Sequence, residues 1–220
     1  MTTRNDLQKL LTWLSPAFPV GAFAWSAGLE AAIVGGTVHD RASTQQWVEG
    51  NLTHGSLRTD AILFAHAHRE AADPPALQGL ADLCLALTPA RERHDETTVT
   101  GASFAKAAKA WPTPVLASLP DPCPYPIAVG AVAAGHAIDI ESGLLAYLTA
   151  AVHSQVSVAV RLVPIGQSDG LAIMAALEPA IASTAALCQH AALDDIGSVA
   201  YAADIAQMTH ETLTTRVFRS

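Results

Sequence analysis

The feature that most constrains this chain of 220 residues is its period. Leu7, Leu10, Leu11 and Leu14 fall at i, i+3, i+4 and i+7, along one face of an α-helix, and the same spacing returns in segment after segment. No stretch alternates apolar and polar residues long enough to form a sheet strand. The expected fold class is therefore all-α: a single-domain bundle of about ten helices over residues 1–220. Alanine, the strongest helix former and a small side chain, makes up much of the 50% hydrophobic content, whereas aromatic residues are only 5%. A chain of this length buries about 70% of its unfolded surface and needs no disulfide or metal to fold.

Glycine and proline divide the pattern. Asp6 is placed to cap the first helix, and Ser15-Pro16-Ala17-Phe18-Pro19-Val20-Gly21 ends it. A second helix is expected from about Ser26 to Val34, stopping at Gly35-Gly36. A third starts after Ser43, with Gln46 completing a capping box. Further helices are expected at 59–72, 75–87, 89–110, 126–137, 141–162, 169–190 and 199–214. Residues 111–126 contain six prolines. They read as an extended connector, with a domain boundary as the alternative; the shared alanine-rich composition of the two flanks favours the connector. Residues 142–160 are uncharged and about as long as a membrane-spanning helix. Ser142, Thr149, His153, Ser154, Gln155 and Ser157 make them a core helix instead.

Charge excludes some functions. A net charge of −8 argues against nucleic acid and against an anionic membrane surface. Only 15% of residues are charged, which suggests that another protein covers part of the surface. Cys84, Cys123 and Cys188 are odd in number and far apart, so a disulfide framework is not expected. The opening residues contain no apolar signal region, so secretion is not expected, and a reducing compartment fits.

Candidate chemistry is sparse. Ala24-Trp25-Ser26-Ala27-Gly28 approaches a nucleophile elbow, which makes a helical serine hydrolase using Ser26 the alternative function. An elbow needs a central strand before the serine, and none is expected, so a helix cap is the simpler role. His210-Glu211 begins a zinc-binding motif whose second histidine position is occupied by Thr214. His66 and His68 lie about 200° apart around a helix. No resident metal, cofactor or catalytic residue is expected, although metal held between subunits stays open. No phosphate-binding glycine motif is present. The segment 215–220 is unusual: Val217 and Phe218 sit between Arg216 and Arg219 in an acidic protein. Such a tail docks either on its own body or on a partner.

Three motifs carry a resemblance. Ser15 to Phe23 followed by Ser26-Ala27-Gly28-Leu29-Glu30, then Arg161-Leu162-Val163-Pro164-Ile165-Gly166-Gln167, then His210-Glu211-Thr212 with Thr215-Arg216-Val217-Phe218-Arg219-Ser220, resemble in order the signatures of UreF-type urease accessory proteins. The family usually has Ser-Tyr-Ser-His where this chain has Ala24-Trp25-Ser26-Ala27. It usually has Arg, Gln and Tyr at the positions of Thr209, Leu213 and Thr214. The resemblance implies an all-helical cytoplasmic protein, usually a homodimer, that matures the nickel enzyme urease. It implies UreD (UreH in some species), the GTPase UreG and apo-urease as partners, regulation of GTP hydrolysis, and nickel handled by the assembled complex. The matching positions expected to contact partners are Ser26, Gly28, Glu30, Arg161, Gln167, His210, Glu211, Thr212, Arg216, Val217, Phe218 and Arg219.

Overall fold

The computed structural model describes residues 3–220. Among the described residues the regular structure is entirely helical. Helix α1 (Arg4–Trp13) is capped by Thr3, whose hydroxyl accepts the Asp6 N–H at 3.2 Å while Asp6 Oδ2 accepts the Thr3 N–H at 2.9 Å. Asp6 is thus the third-position partner in a reciprocal box and not the cap itself. Of the leucine stripe, Leu10 is buried, whereas Leu7 and Leu11 are exposed. Helix α2 (Leu29–Val34) starts later than the period suggests, because Ala27 (φ 51°) and Gly28 (φ 80°) are both left-handed. Helix α3 (Arg41–His54) is capped by Asp40, whose carboxylate accepts the Ser43 N–H at 2.8 Å. Ser43 supplies the box partner, so the cap lies three residues before the expected one.

Helices α4 (Ser56–Arg69), α5 (Pro74–Ala86) and α6 (Arg91–Ala108) follow. Residues 109–124 contain one short 3₁₀ turn, Pro114–Ala117. This stretch lies against the body: Trp111, Val115, Leu116 and Leu119 pack on the core, and the Thr113 hydroxyl donates to Gly135 O at 3.1 Å. Helix α7 (Tyr125–Gly135) takes over just inside the expected end of the connector. Helices α8 (Ile140–Leu162), α9 (Gln167–Cys188) and α10 (Tyr201–His210) complete the fold.

Helices α4 and α7 form the centre and pack on each other more extensively than any other pair. Residues 61–65 of α4 and 126–133 of α7 are buried without a break, as expected for helices apolar on every side. Gly130 faces the Phe64 main chain so closely that a Cβ would overlap it. Helices α8 and α9 are both long and apolar enough to cross a membrane. In this fold α8 places Leu144, Leu148, Val152 and Val156 in the core, while α9 leaves Leu171 and Leu187 exposed. A second, smaller core joins Leu29 and Ala32 of α2, Val158 and Ala159 of α8, Ala206 of α10, and Phe218.

Candidate functional site

The second core lies beneath the C-terminal segment, and there the structure brings most of the predicted site residues together. Two consecutive left-handed residues, Ala27 and Gly28, turn the chain sharply into α2. Glycine is required at position 28 on two counts. Its φ is 80°, and a Cβ there would lie 2.7 Å from the Gln207 main-chain nitrogen of α10. The turn points Ser26 and Glu30 toward residues 217–220.

Glu30 is 4% exposed and surrounded by donors. Its Oε1 accepts the Val217 N–H at 2.7 Å, and its Oε2 accepts the Phe218 N–H at 2.9 Å. His210 Nε2 lies 3.1 Å from the same Oε2. Burial works to raise the Glu30 pKa, but the Val217 amide, His210 and the Phe218 amide together hold it below its ordinary value. His210 is 0% exposed, and its Nδ1 lies 2.6 Å from Oε2 of Glu92 on α6. Arg216 pairs with the other Glu92 oxygen. The imidazole therefore bridges two buried carboxylates from different helices, and the tail is bonded to both.

The remaining tail contacts extend this arrangement. Phe218 is buried, with the Arg161 guanidinium 5.8 Å from its ring centroid. Arg161 also donates to Phe23 O at 3.5 Å. Arg219 donates its N–H to Ala24 O at 2.8 Å and stacks its guanidinium 4.5 Å over the Trp25 ring. The main-chain oxygen of Ser220 accepts from both the Ser26 N–H and the Ser26 hydroxyl. Of the two destinations open to the tail, the structure shows its own body. Val217 alone among the tail's apolar side chains turns outward, 70% exposed.

Glu211 and Thr212 serve more local ends. Helix α6 has no side-chain cap of its own, and Glu211 Oε1 accepts the N–H groups of Arg91 at 2.8 Å and Glu92 at 3.4 Å. A carboxylate there complements the helix N-terminus. The Thr212 hydroxyl donates to Thr209 O at 2.8 Å. Gln167 is exposed at the start of α9 and takes no part in the tail contacts.

Ser26 is 1% exposed, and its hydroxyl is engaged with Ser220 and with the Glu30 N–H at 3.3 Å. No strand precedes it among the described residues. The hydrolase alternative fails on those grounds: the serine is sealed under the tail and its turn is not a strand-to-helix elbow. Burial pushes the thiols of Cys84 and Cys123 up to about 12 and that of Cys188 to about 11, away from reactive thiolate chemistry. Among the described residues no three His, Cys, Asp or Glu side chains converge as a metal-binding group.

Several participants had no mark in the sequence pattern. Glu92 and Arg93 stand in the charged run Arg91-Glu92-Arg93-His94-Asp95-Glu96, which resembles a solvated helix face. Arg93 instead turns inward to Asp60 at 2.6 Å and Glu96 at 3.4 Å, and the Tyr147 hydroxyl donates to Asp60 at 3.3 Å. The Ser220 hydroxyl reaches Glu96 at 3.4 Å, so the tail touches this second charged cluster as well. The one available signal was register: Glu92, Glu96 and Thr100 recur every four residues on the face that also carries buried Phe104.

Comparison with known proteins gives the family. The family model described as UreF matches residues 38–178. The chain is 49% identical over 223 residues to the urease accessory protein UreF of Rhizobium leguminosarum bv. viciae, covering 100% of both chains. It is 50% identical over 214 residues to the protein of that name from Agrobacterium fabrum, covering 97% of this chain and 96% of that one. Against the Rhodopseudomonas palustris protein of the same name it is 45% identical, covering 98% of this chain and 91% of the other. The alignment with the Rhizobium relative includes both α2 and the tail, which lie outside the span matched by the family model.

Proposed function

The chain belongs to the UreF family of urease accessory proteins, which are not enzymes, and from that premise we propose that it is a scaffold of urease maturation that docks UreD through α10 beside the closed tail. The observation that carries this reading is an unpartnered apolar stripe. Tyr201, Ile205 and Met208 recur at i, i+4 and i+7 on α10 and are all exposed, while Ala203, Ala206, Gln207 and His210 are buried on the opposite face. Val217 adds a further exposed apolar side chain from the tail. Burying side chains of this size is worth about 1.5–3 kcal/mol each, enough to anchor a protein interface.

In this reading the UreD-bound form sits on apo-urease in the cytoplasm and recruits the GTPase UreG, whose hydrolysis it regulates. Nickel is cargo of the assembled complex and not a resident of this chain. A second copy is proposed to cover the groove of about 710 Å³ between α1 and α8, where Leu7, Leu11 and Leu145 are exposed. Charge patterning supports neither nucleic acid nor a membrane as a partner.

The test is co-purification of the double variant Ile205→Asp, Met208→Asp with UreD, alongside Leu11→Asp as a separate variant. The α10 variant should keep its helicity and lose UreD, and Leu11→Asp should keep UreD but run as a monomer in light scattering. Undiminished UreD recovery by the α10 variant rules out this docking face; a Leu11→Asp dimer rules out the groove as the self-contact.

A further inference from the structure

We propose that the cavity between α4, α6 and α8 binds one monovalent cation, an alkali ion or ammonium, held by Asp60, Glu96 and Gln155. This inference concerns the chain alone and does not depend on which partner it serves.

The argument starts from where the hydrogen bonds fall. Asp60, Arg93, Glu96, Tyr147 and Gln155 line one cavity of about 100 Å³. Arg93 and the Tyr147 hydroxyl both donate to Oδ2 of Asp60, at 2.6 Å and 3.3 Å. Arg93 and the Ser220 hydroxyl both reach Oε2 of Glu96, each at 3.4 Å. No hydrogen bond among the described residues reaches Asp60 Oδ1 or Glu96 Oε1. Gln155 is 5% exposed, and its carbonyl oxygen Oε1 has no partner either. Three residues of one cavity wall therefore each keep an oxygen that only accepts and has no donor. A buried acceptor in that condition is costly, so the occupant has to offer hydrogen atoms or positive charge.

Charge decides between the two. The charged groups lining the cavity are Asp60, Glu96 and Arg93, two negative and one positive. Their side chains are 9%, 17% and 11% exposed. Water would satisfy the oxygens but leave one buried negative charge, which is costly without a partner. Burial raises the Glu96 pKa even though Arg93 works to lower it, the response of a carboxylate in a place short of positive charge. One monovalent cation makes the balance neutral. The lining contains no histidine or cysteine, so the donors are oxygens and suit a hard ion or ammonium over a transition metal. One water needs about 10–15 Å³ of such space, so the cavity admits the ion with a few waters of its hydration shell.

The experiment is ¹H–¹⁵N NMR of the full-length protein in choline chloride at neutral pH, with choline exchanged for K⁺, Na⁺ or NH₄⁺ at constant chloride. The methylated nitrogen of choline has no N–H and cannot approach a carboxylate closely. The Glu96 main-chain amide and the Gln155 side-chain amide should shift along a saturating curve with at least one of the three, while Val132 in α7 stays still. The cation with the lowest midpoint is the occupant. Raising it from zero to about ten times that midpoint should lift the melting temperature by about 3–5 °C. Glu96→Gln removes the surplus charge and should abolish the saturating shift. Gln155→Leu removes one ligand and should raise the midpoint about tenfold, read at Glu96. Two outcomes overturn the proposal: no saturating shift with any of the three cations, which assigns the missing charge to a proton, or a Glu96→Gln curve like that of the wild type. Should Glu96→Gln fail to fold, Gln155→Leu decides alone, and an unchanged midpoint refutes the site.

Discussion

The α4–α7 contact and the tail dock are built from opposite chemistry. At the centre, Ile62, Leu63 and Phe64 meet Ile127, Val129 and Val132. Nothing there depends on direction beyond shape, and hydrocarbon burial and dense packing do the stabilising. At the dock, Glu30, His210, Glu92 and Arg216 replace hydrocarbon, and each contact needs a particular donor, acceptor and charge. An apolar core is damaged in proportion to the volume removed. A buried polar cluster is damaged by the loss of any one member, because the others are left unpaired.

That contrast can be broken or sharpened by experiment. The largest effect is expected at the centre. Phe64→Ala should cost about 3–5 kcal/mol in urea unfolding, as for other buried aromatic truncations, and the loss should be global. Glu30→Ala removes the acceptor for two amides and an imidazole. Its cost in the same assay should be about 1.5–3 kcal/mol, less than at Phe64, because the stranded donors can swing out with the tail into water. Exchange at the Val217 and Phe218 amides should then be unprotected while α7 is unaffected. A global loss as large as that of Phe64→Ala would erase the distinction between the two regions.

Acid separates them next. The Glu30 carboxyl titrates below its ordinary 4.5 in the folded protein. Its contribution is therefore fully present above that value and is lost as pH falls through the lowered folded one. Tail protection should fail on the acid side before α7 protection does, and simultaneous loss would join the two regions into one unit. The smallest effect is expected at the hinge into α2. Ala27 carries a left-handed φ of 51°, which costs a residue with a Cβ about 1–2 kcal/mol. Ala27→Gly relieves that strain but adds about 0.4–1 kcal/mol of unfolded-state entropy. The net gain should be about 1 kcal/mol or less, read as a small rise in melting temperature.

The two regions also differ in how far the sequence foretold them. Helix positions followed from local period, because 3.6-residue spacing needs only neighbours along the chain. The caps of α1 and α3 were misplaced by three residues. In each reciprocal box either polar residue can look like the cap, Thr3 or Asp6, and Asp40 or Ser43. The tail was conspicuous as a basic, aromatic segment, and Ser26, Gly28, Glu30 and His210 were singled out through a family likeness. Their mutual contacts were not legible, because they join residues 180 to 194 positions apart. Glu92 was marked only by its four-residue register with Glu96 and Thr100, in a charged run whose inward face the packed helices define.

That separation along the chain has a consequence in time. During synthesis Glu30 and Glu92 are made well before His210, 180 and 118 residues later respectively. At typical translation rates the shorter interval lasts on the order of ten seconds. Throughout it, the Glu30 and Glu92 carboxylates lack the His210 imidazole that bridges them in the finished fold. The nascent protein can assemble α4 and α7 around their hydrocarbon while its N-terminal turn stays open and hydrated. The Glu30 bonds to Val217 and Phe218 can form only once those residues have been made, so a chain stalled before them has its central hydrocarbon but not this latch.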